Sequence, residues 1–247
     1  MSKMENNNNT NDILTDADRK RFDCACGVLR YLRTLHGLTQ EELAKECGLP
    51  VTTISNIERG YTNAQIATIV RLAEWFGLWE DAIVYNDFSL IVPALDRLDK
   101  PHHQTSHRLA SYRLHRGKVD ESVLRGEQFV EELEKRKLSD SPYAKAVTAR
   151  FADDESAGFQ ILSFRPEGTP LYVMVVTSPP GERTKFEISQ TKLAFAKYCA
   201  ETQKEFRLYW IYDFIDTAAP RYLTFNAETL LNQIQNTIEE EAVWKAI

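Results

Sequence analysis

The stretch LTQEELAKECGLPVTTISNIERG, residues 38–60, decides the fold of the first part of this chain. Thr39 followed three residues later by Glu42 is a capping box, which marks the start of a helix. Gly48 then supplies a turn that tolerates positive φ, and Pro50 stands where the next helix begins. The stretch therefore predicts two short helices joined by a tight turn.

Periodic apolar residues on both sides of this stretch extend the helical region to residues 26–84. Residues 26–37 and 63–77 carry apolar side chains at helical spacing, and residues 79–84 add a short fifth helix. The sequence thus predicts an all-α domain of five short helices over residues 19–87. Two short helices joined by a glycine-bearing turn, the second with small polar residues on its outer face, form a helix-turn-helix.

Residues 29–78 resemble the lambda Cro/repressor-type (XRE-like) helix-turn-helix family. The motifs that carry the resemblance are LTQEELAKECGLP, TISNIERG and LAEWFGL, whose glycines and core positions match the family's spacing. The resemblance implies that the helix at 50–59 lies in the major groove of DNA, with its N-terminal half toward the base edges. Within that helix, Glu58 is expected to make a contact inside the domain.

The residues expected to contact DNA lie mainly on the outer face of helix 50–59. Asn56 can form paired hydrogen bonds with an adenine, and Val51 or a threonine methyl can contact thymine methyls. The resemblance assigns a phosphate contact to Gln40, and Asn63 is expected to open the fourth helix and offer backbone N–H groups to a phosphate. The predicted set is Gln40, Val51, Thr52, Thr53, Ser55, Asn56, Arg59 and Asn63. The alternative is a solvated helix face, as in family members that bind protein, and Arg59 fits solvation as well as DNA contact.

Charge singles out the middle of the chain as its basic part. The chain carries a net charge of −6, and residues 1–87 carry −4 from 9 basic and 13 acidic residues, which disfavours binding nucleic acid by charge alone. Residues 88–123 are predicted to be a basic linker, in which Arg113 and Arg116 are candidate phosphate contacts. Specific binding is therefore expected to need a homodimer on two half-sites, or help from the linker.

Composition bounds the class of protein. A hydrophobic fraction of 43% without a long apolar run is typical of a globular protein with no membrane span. The polar, asparagine-rich residues 1–18 are expected to be a disordered tail without a signal peptide. The four cysteines lack zinc-ligand spacing and are expected to be reduced, which favours a cytoplasmic, nucleoid-associated location. His103 and His107 stand four apart, but no Cys or carboxylate cluster joins them, so neither a metal nor a cofactor is expected.

From about residue 124 the pattern changes, and predicted strands alternate with predicted helices. The helices are GEQFVEELEKRKL, QTKLAFAKYCAE and AETLLNQIQNTIEEEAVW. The strands are GFQILSF, LYVMVVT, TKFEIS, FRLYWIYDF and PRYLTF. Residues 124–247 therefore predict an α/β domain with a mixed sheet.

In the order of these blocks, residues 124–225 resemble the NO VEIN C-terminal family, a branch of the PD-(D/E)XK nucleases. The resemblance implies a restriction-endonuclease-like fold in which acids at the positions of Gln160 and Met174 hold Mg²⁺ beside a lysine at the position of Val176. A neutral amide and two apolar side chains cannot do this, and of the four implied positions only Glu127 is acidic. The prediction is a degenerate nuclease site without catalytic residues.

Three hypotheses of function follow. The favoured one is a sequence-specific transcriptional regulator that binds a palindromic operator in double-stranded DNA as a homodimer. Its inactive nuclease-like domain would serve dimerisation, DNA contact or sensing, and analogy alone suggests a phage-defence or restriction operon. The second is a metal-dependent DNA nuclease whose acids have moved to Glu187, beside Lys185, with Glu127. The third is an interaction module that binds a partner protein or a nucleotide effector.

Overall fold

The structure is a computed structural model, and it describes residues 14–61, 64–95, 98, 121–149, 151, 155–178, 188–212 and 220–235. Asn63, Arg113, Arg116, Lys185 and Glu187, which the sequence singled out, lie outside these described residues.

The described N-terminal unit contains six α-helices before residue 85. They are α1 (Asp16–Ala25), α2 (Val28–Leu35), α3 (Gln40–Cys47), α4 (Val51–Glu58), α5 (Ile66–Phe76) and α6 (Glu80–Val84). Helices α2 to α6 are the five predicted ones. Thr39 and Glu42 form both hydrogen bonds of the predicted capping box at the start of α3. The helical region with a helix-turn-helix is confirmed.

Two helix boundaries differ from the prediction. Thr15 caps α1 by accepting a hydrogen bond from a backbone N–H, and Leu14 is buried, so the predicted tail over residues 1–18 extends too far. Helix α1 was missed because most of its residues are polar and charged, and few of them are buried. Helix α5 begins at Ile66 with Gln65 at its N-cap, whereas the sequence predicted a helix over residues 63–77.

The first residues of the predicted linker over 88–123 belong to the core instead. A 3-10 turn at Phe88–Leu90 and helix α7 at Val92–Leu95 follow α6 directly. The buried side chains here are Phe88, Ile91, Ala94 and Leu95. Tyr143 Oη also donates a hydrogen bond to the Ser89 carbonyl at 3.1 Å. The prediction of a linker is therefore wrong for residues 88–95, because their apolar side chains are buried in the core.

The C-terminal unit is built on a mixed four-stranded sheet. Its elements are α8 (Glu121–Lys137), β1 (Ile161–Phe164), β2 (Pro170–Thr177), α9 (Gln190–Glu201), β3 (Glu205–Tyr212), β4 (Arg221–Phe225) and a helix over 227–235. The strand order is β1-β2-β3-β4, with β2 and β3 parallel and the other two pairs antiparallel. The predicted mixed sheet is confirmed. The strand expected in TKFEIS falls mostly outside the described residues, and residues 188 and 189 are not in a strand.

Alternation along β2 divides the sheet into two faces. The α8 face carries Val175, because a Cβ on Gly126 of α8 would lie 3.8 Å from Val175 and 2.6 Å from Thr177. The opposite face, which we call the N-terminal face, carries Tyr172, whose ring lies 5.6 Å from that of Phe195 in α9. By alternation, the other β2 residues of the N-terminal face are Pro170, Met174 and Val176.

The N-terminal helices and the sheet share one aromatic core. The ring of Phe22 in α1 lies 5.1 Å from that of Phe195 in α9, and the ring of Tyr31 in α2 lies 5.7 Å from that of Phe164 in β1. Tyr31 Oη also donates a buried hydrogen bond of 2.7 Å to the Ala146 carbonyl. The helix-turn-helix unit is therefore packed directly against the α/β unit.

Candidate nucleic-acid interface

The turn between α3 and α4 is fixed by backbone hydrogen bonds. The Leu49 N–H donates to the Ala44 carbonyl at 2.8 Å, and the Gly48 N–H donates to the Lys45 carbonyl at 3.2 Å. This pair of bonds is a Schellman motif, and it requires a left-handed residue after the helix. Gly48 meets the requirement with φ of 61°, where other residues would be strained. The turn sets the angle at which α4 leaves α3.

A buried ion pair attaches α4 to α2. Arg33 Nε donates to Glu58 Oε1 at 2.6 Å, and Arg33 Nη2 donates to Glu58 Oε2 at 2.9 Å. Only 2% of the Glu58 side chain is exposed. Arg33 also donates to the Leu38 carbonyl at 2.8 Å, and Gln40 Nε2 donates to Glu58 Oε2 at 2.8 Å. The predicted contact of Glu58 inside the domain is therefore observed. The bond to Glu58 uses one of the two amide hydrogens of Gln40 and leaves the other available to a ligand.

The outer face of α4 presents small polar side chains. Val51, Thr52, Asn56 and Arg59 are exposed, whereas Thr53 and Ser55 are half-buried. In the described part of the chain, the side chains of Thr52 and Asn56 make no hydrogen bond, so their polar atoms are available to a ligand. Ile54 on the opposite face is fully buried and holds the helix against the core. The arrangement can offer an amide, a hydroxyl and a methyl group to base edges.

A cationic and aromatic pair stands beside α4. Lys20 Nζ of α1 lies 3.7 Å from the centroid of the Tyr61 ring, just after α4, and 60% of Tyr61 is exposed. The Tyr61 N–H donates to the Asn56 carbonyl at 3.0 Å, which places Tyr61 next to the outer face of α4. Sequence reasoning missed this pair because it depends on α1, which the pattern did not reveal.

The four positions that the nuclease resemblance singled out are divided between the two faces of the sheet. Met174 and Val176 are buried on the N-terminal face of the sheet, whereas Glu127 belongs to α8 on the opposite face. Gln160 bonds to β2, since its Nε2 donates to the Val175 carbonyl at 3.0 Å and its Oε1 accepts from the Val175 N–H at 3.1 Å. The described residues hold no group of three or more His, Cys, Asp or Glu side chains that could hold a metal.

The sequence analysis did not select a charged cluster around Glu134 of α8. This buried carboxylate accepts hydrogen bonds from Ser163 Oγ at 2.8 Å, Lys137 Nζ at 2.9 Å, Arg207 Nη1 at 3.2 Å and the Tyr209 hydroxyl. Burial alone would raise its pKa, but the bonds from Tyr209, Lys137 and Ser163 prevail and hold the pKa of Glu134 below its usual value. No local pattern could reveal the cluster, because its members come from α8, β1 and β3.

Comparisons with known proteins bear on the N-terminal unit. The helix-turn-helix family matches residues 29–78. A protein of Methanocaldococcus jannaschii, named as an uncharacterized HTH-type transcriptional regulator, is 42% identical over 60 residues, which are 24% of this chain and 91% of that protein. No solved structure matches the chain significantly. Within the described residues, each helix is too short or too polar to cross a bilayer.

Proposed function

The chain belongs to the helix-turn-helix family through residues 29–78, and from this premise we propose that it regulates transcription by binding specific DNA sequences. The observation that carries the proposal is the exposed polar face of α4, held against α2 by the buried pair of Arg33 and Glu58. A recognition helix needs such a fixed angle, because base contacts tolerate little displacement.

In the proposed complex, α4 lies in the major groove and its exposed side chains read bases. Asn56 forms paired hydrogen bonds with an adenine, Thr52 bonds to a base edge, and the Val51 methyls contact thymine. Gln40 and Arg59 contact phosphates and set the register of the helix on DNA. Thr53 and Ser55 have less accessible surface and contribute less.

Residues outside the described ranges complete the proposed set of phosphate contacts. Asn63 lies between α4 and α5, and Arg113 and Arg116 belong to the basic part of the chain. Loss of both arginines would weaken binding to all DNA sequences. It would also reduce the slope of log affinity against log salt concentration by about 2, because each phosphate contact contributes about 1.

The proposed partner on DNA is a second copy of this chain, bound to the other half of a palindrome. One unit with a charge of −4 over residues 1–87 gains little from the DNA field, whereas two linked units double the specific contacts. Exposed apolar side chains on and beside α6 support self-association. They are Trp79 at 71%, Val84 at 54% and Tyr85 at 74% exposure.

For the C-terminal unit we propose dimerisation, further DNA contact or sensing, without catalysis. Apolar Met174 and Val176 support this, since neither can hold Mg²⁺. A nuclease ancestry and a place in a phage-defence or restriction operon rest on resemblance and analogy alone. The cytoplasm, at the nucleoid, is the location that this function implies.

Selection of bound sequences from random duplexes tests the proposal directly. We expect enrichment of a palindromic motif whose half-sites lie about one helical turn apart. Recovery of random sequence would contradict sequence-specific regulation. Incubation of plasmid with the protein and Mg²⁺ or Mn²⁺ tests the nuclease hypothesis in parallel. Metal-dependent cleavage that disappears in Glu127→Ala would show that the protein is a nuclease and would contradict the proposed lack of catalysis.

A further inference from the structure

A pocket of about 400 Å³ lies where the end of α8 meets β3, β4 and the turn between β1 and β2. This volume is in the range of sites that hold small organic ligands. Its lining residues are far along the chain from α4. They include none of the proposed DNA contacts and none of the nuclease-like positions.

Cationic side chains dominate the charge of the pocket. Lys137, Arg165 and Arg207 line it, and Glu134 is its acidic member. Glu205 offsets one further charge, because Arg165 Nη2 lies 2.6 Å from Glu205 Oε2. The balance over these five side chains is one positive charge, so an anion is favoured there and a cation is not.

Arg207 keeps donors that are available to a ligand. Its two hydrogen bonds, to Glu134 and to the Tyr209 hydroxyl, both come from Nη1. Within the described part of the chain, Nε and Nη2 therefore make no such bond, and a guanidinium presents them as a fork that fits a carboxylate or phosphate. Glu134 orients this fork, since it is buried and holds Arg207 on one side only.

The remaining wall of the pocket is apolar. Leu138, Phe164 and Leu171 form its buried floor, whereas Pro166 and Tyr222 line it with exposed surface. An inorganic ion would leave Pro166 and Tyr222 in contact with water, whereas an organic body would cover them and gain free energy by burial. The two halves of the pocket therefore select different parts of one molecule.

We propose that this pocket binds a small organic anion. Its carboxylate or phosphate head lies on Arg207 and Arg165, and its apolar body covers Pro166 and Tyr222. This proposal goes beyond DNA binding. The anion can bind to the pocket whether or not the chain binds DNA.

One contact links the pocket to the DNA-reading unit. Phe164 lines the pocket, and its ring lies 5.7 Å from that of Tyr31 in α2, the helix that carries Arg33. An occupant that displaces Phe164 would therefore act on the helix to which α4 is tied. This regulatory consequence rests on the proposed function.

Calorimetric titration of the full chain without DNA tests the binding. Phenyl phosphate and benzoate test the two head groups, inorganic phosphate tests the need for an apolar body, and benzylamine reverses the charge. We expect saturable one-to-one binding of at least one of the two organic anions, binding of inorganic phosphate at least tenfold weaker, and no binding of benzylamine.

Two variants and a matched control locate the site. Arg165→Gln changes a half-exposed pair, so it keeps the test valid even where Arg207→Gln unfolds the chain. Each variant is expected to weaken the affinity for the organic anion at least tenfold. Arg136→Gln, at an exposed arginine of α8 that is not in the pocket lining, should change that affinity less than twofold. Absence of saturable binding by both organic anions, or equal affinity in Arg165→Gln and Arg136→Gln, would overturn the proposal. Because no DNA is present, failure here is distinct from failure to bind an operator.

Discussion

Arg33 in α2 and Glu58 in α4 face each other through two parallel hydrogen bonds, at 2.6 Å and 2.9 Å. The pair is nearly enclosed, with 13% of the Arg33 side chain and 2% of the Glu58 side chain exposed. Burying two charges costs free energy that their attraction roughly offsets, so the net gain in stability is small. What the pair does provide is a single orientation of α4, because any rotation would leave a buried charge without its partner.

Removal of Glu58 is expected to be severe. Glu58→Ala leaves the Arg33 guanidinium buried and unpaired, which typically costs about 3–5 kcal/mol of the free energy of unfolding. Glu46→Ala removes an exposed carboxylate from α3 and should change that free energy by about 0.5 kcal/mol or less. Urea unfolding followed by circular dichroism gives both values. Equal values for the two variants would show that the ion pair does not hold α4.

Asn56 tests direct reading of a base. Asn56→Ala should weaken binding to the selected operator by about 1–3 kcal/mol and leave binding to random DNA almost unchanged, because only a base contact distinguishes the two. Asn232→Ala, at an exposed position in the helix over 227–235, is the matched control. Fluorescence anisotropy with both duplexes measures the effect. Equal loss on both duplexes would assign Asn56 to the DNA backbone instead.

Gln160 tests the structural role of a position that the nuclease resemblance assigned to a metal-binding acid. Gln160→Glu replaces an amide donor with a second acceptor opposite the buried Val175 carbonyl, 3.0 Å away. We expect a loss of about 2–3 kcal/mol in the free energy of unfolding. Gln190→Glu, exposed at the start of α9, should be neutral or slightly stabilising there. Calorimetrically detected Mg²⁺ binding by Gln160→Glu would instead support the nuclease ancestry.

The lowered pKa of Glu134 allows a prediction of how the free energy of unfolding changes at low pH. Its pKa is lowered in the folded chain, so the unfolded chain binds the proton more readily. The stabilisation by this carboxylate is complete above its ordinary pKa of about 4.3 and is lost as the pH falls through the lower folded pKa. Glu134→Gln should therefore flatten the dependence of unfolding free energy on pH below about 4.3, while the exposed Glu132→Gln retains it. An unchanged slope in Glu134→Gln would refute this.

The buried hydrogen bond from Tyr31 to Ala146 leads us to expect that the helix-turn-helix unit and the sheet unfold together. Tyr31→Phe leaves the buried Ala146 carbonyl without the hydroxyl that donates to it at 2.7 Å, at a cost of about 1–3 kcal/mol. Tyr85→Phe, which alters an exposed ring, should have little effect. We expect tryptophan fluorescence and circular dichroism to report one coincident transition in both variants. Two separate transitions in the unaltered chain would show that the units are independent.

The sequence predicted well where the signals are local. The capping box of Thr39 and Glu42 and the left-handed Gly48 act within a few residues, so the pattern alone placed α3 and the turn before α4. Helix α1 has no such apolar periodicity, and its stability depends on Phe22, which packs on a ring 173 positions later in the chain, that of Phe195. Contacts of that separation have no signature in the local sequence.

Local patterns were enough to predict a helix-turn-helix with a polar outer face and a mixed α/β sheet, because helical and strand periods, caps and turns are properties of neighbouring residues. The packing of distant elements was needed to show that Met174 and Val176 share the face of Tyr172, against which α9 packs, while Glu127 belongs to α8 on the other face. The period of two shows which residues of a strand share a face, but the packing of distant elements decides which helix covers that face. The same packing gathered Glu134, Lys137 and Arg207 into one cluster and joined the two units in one core.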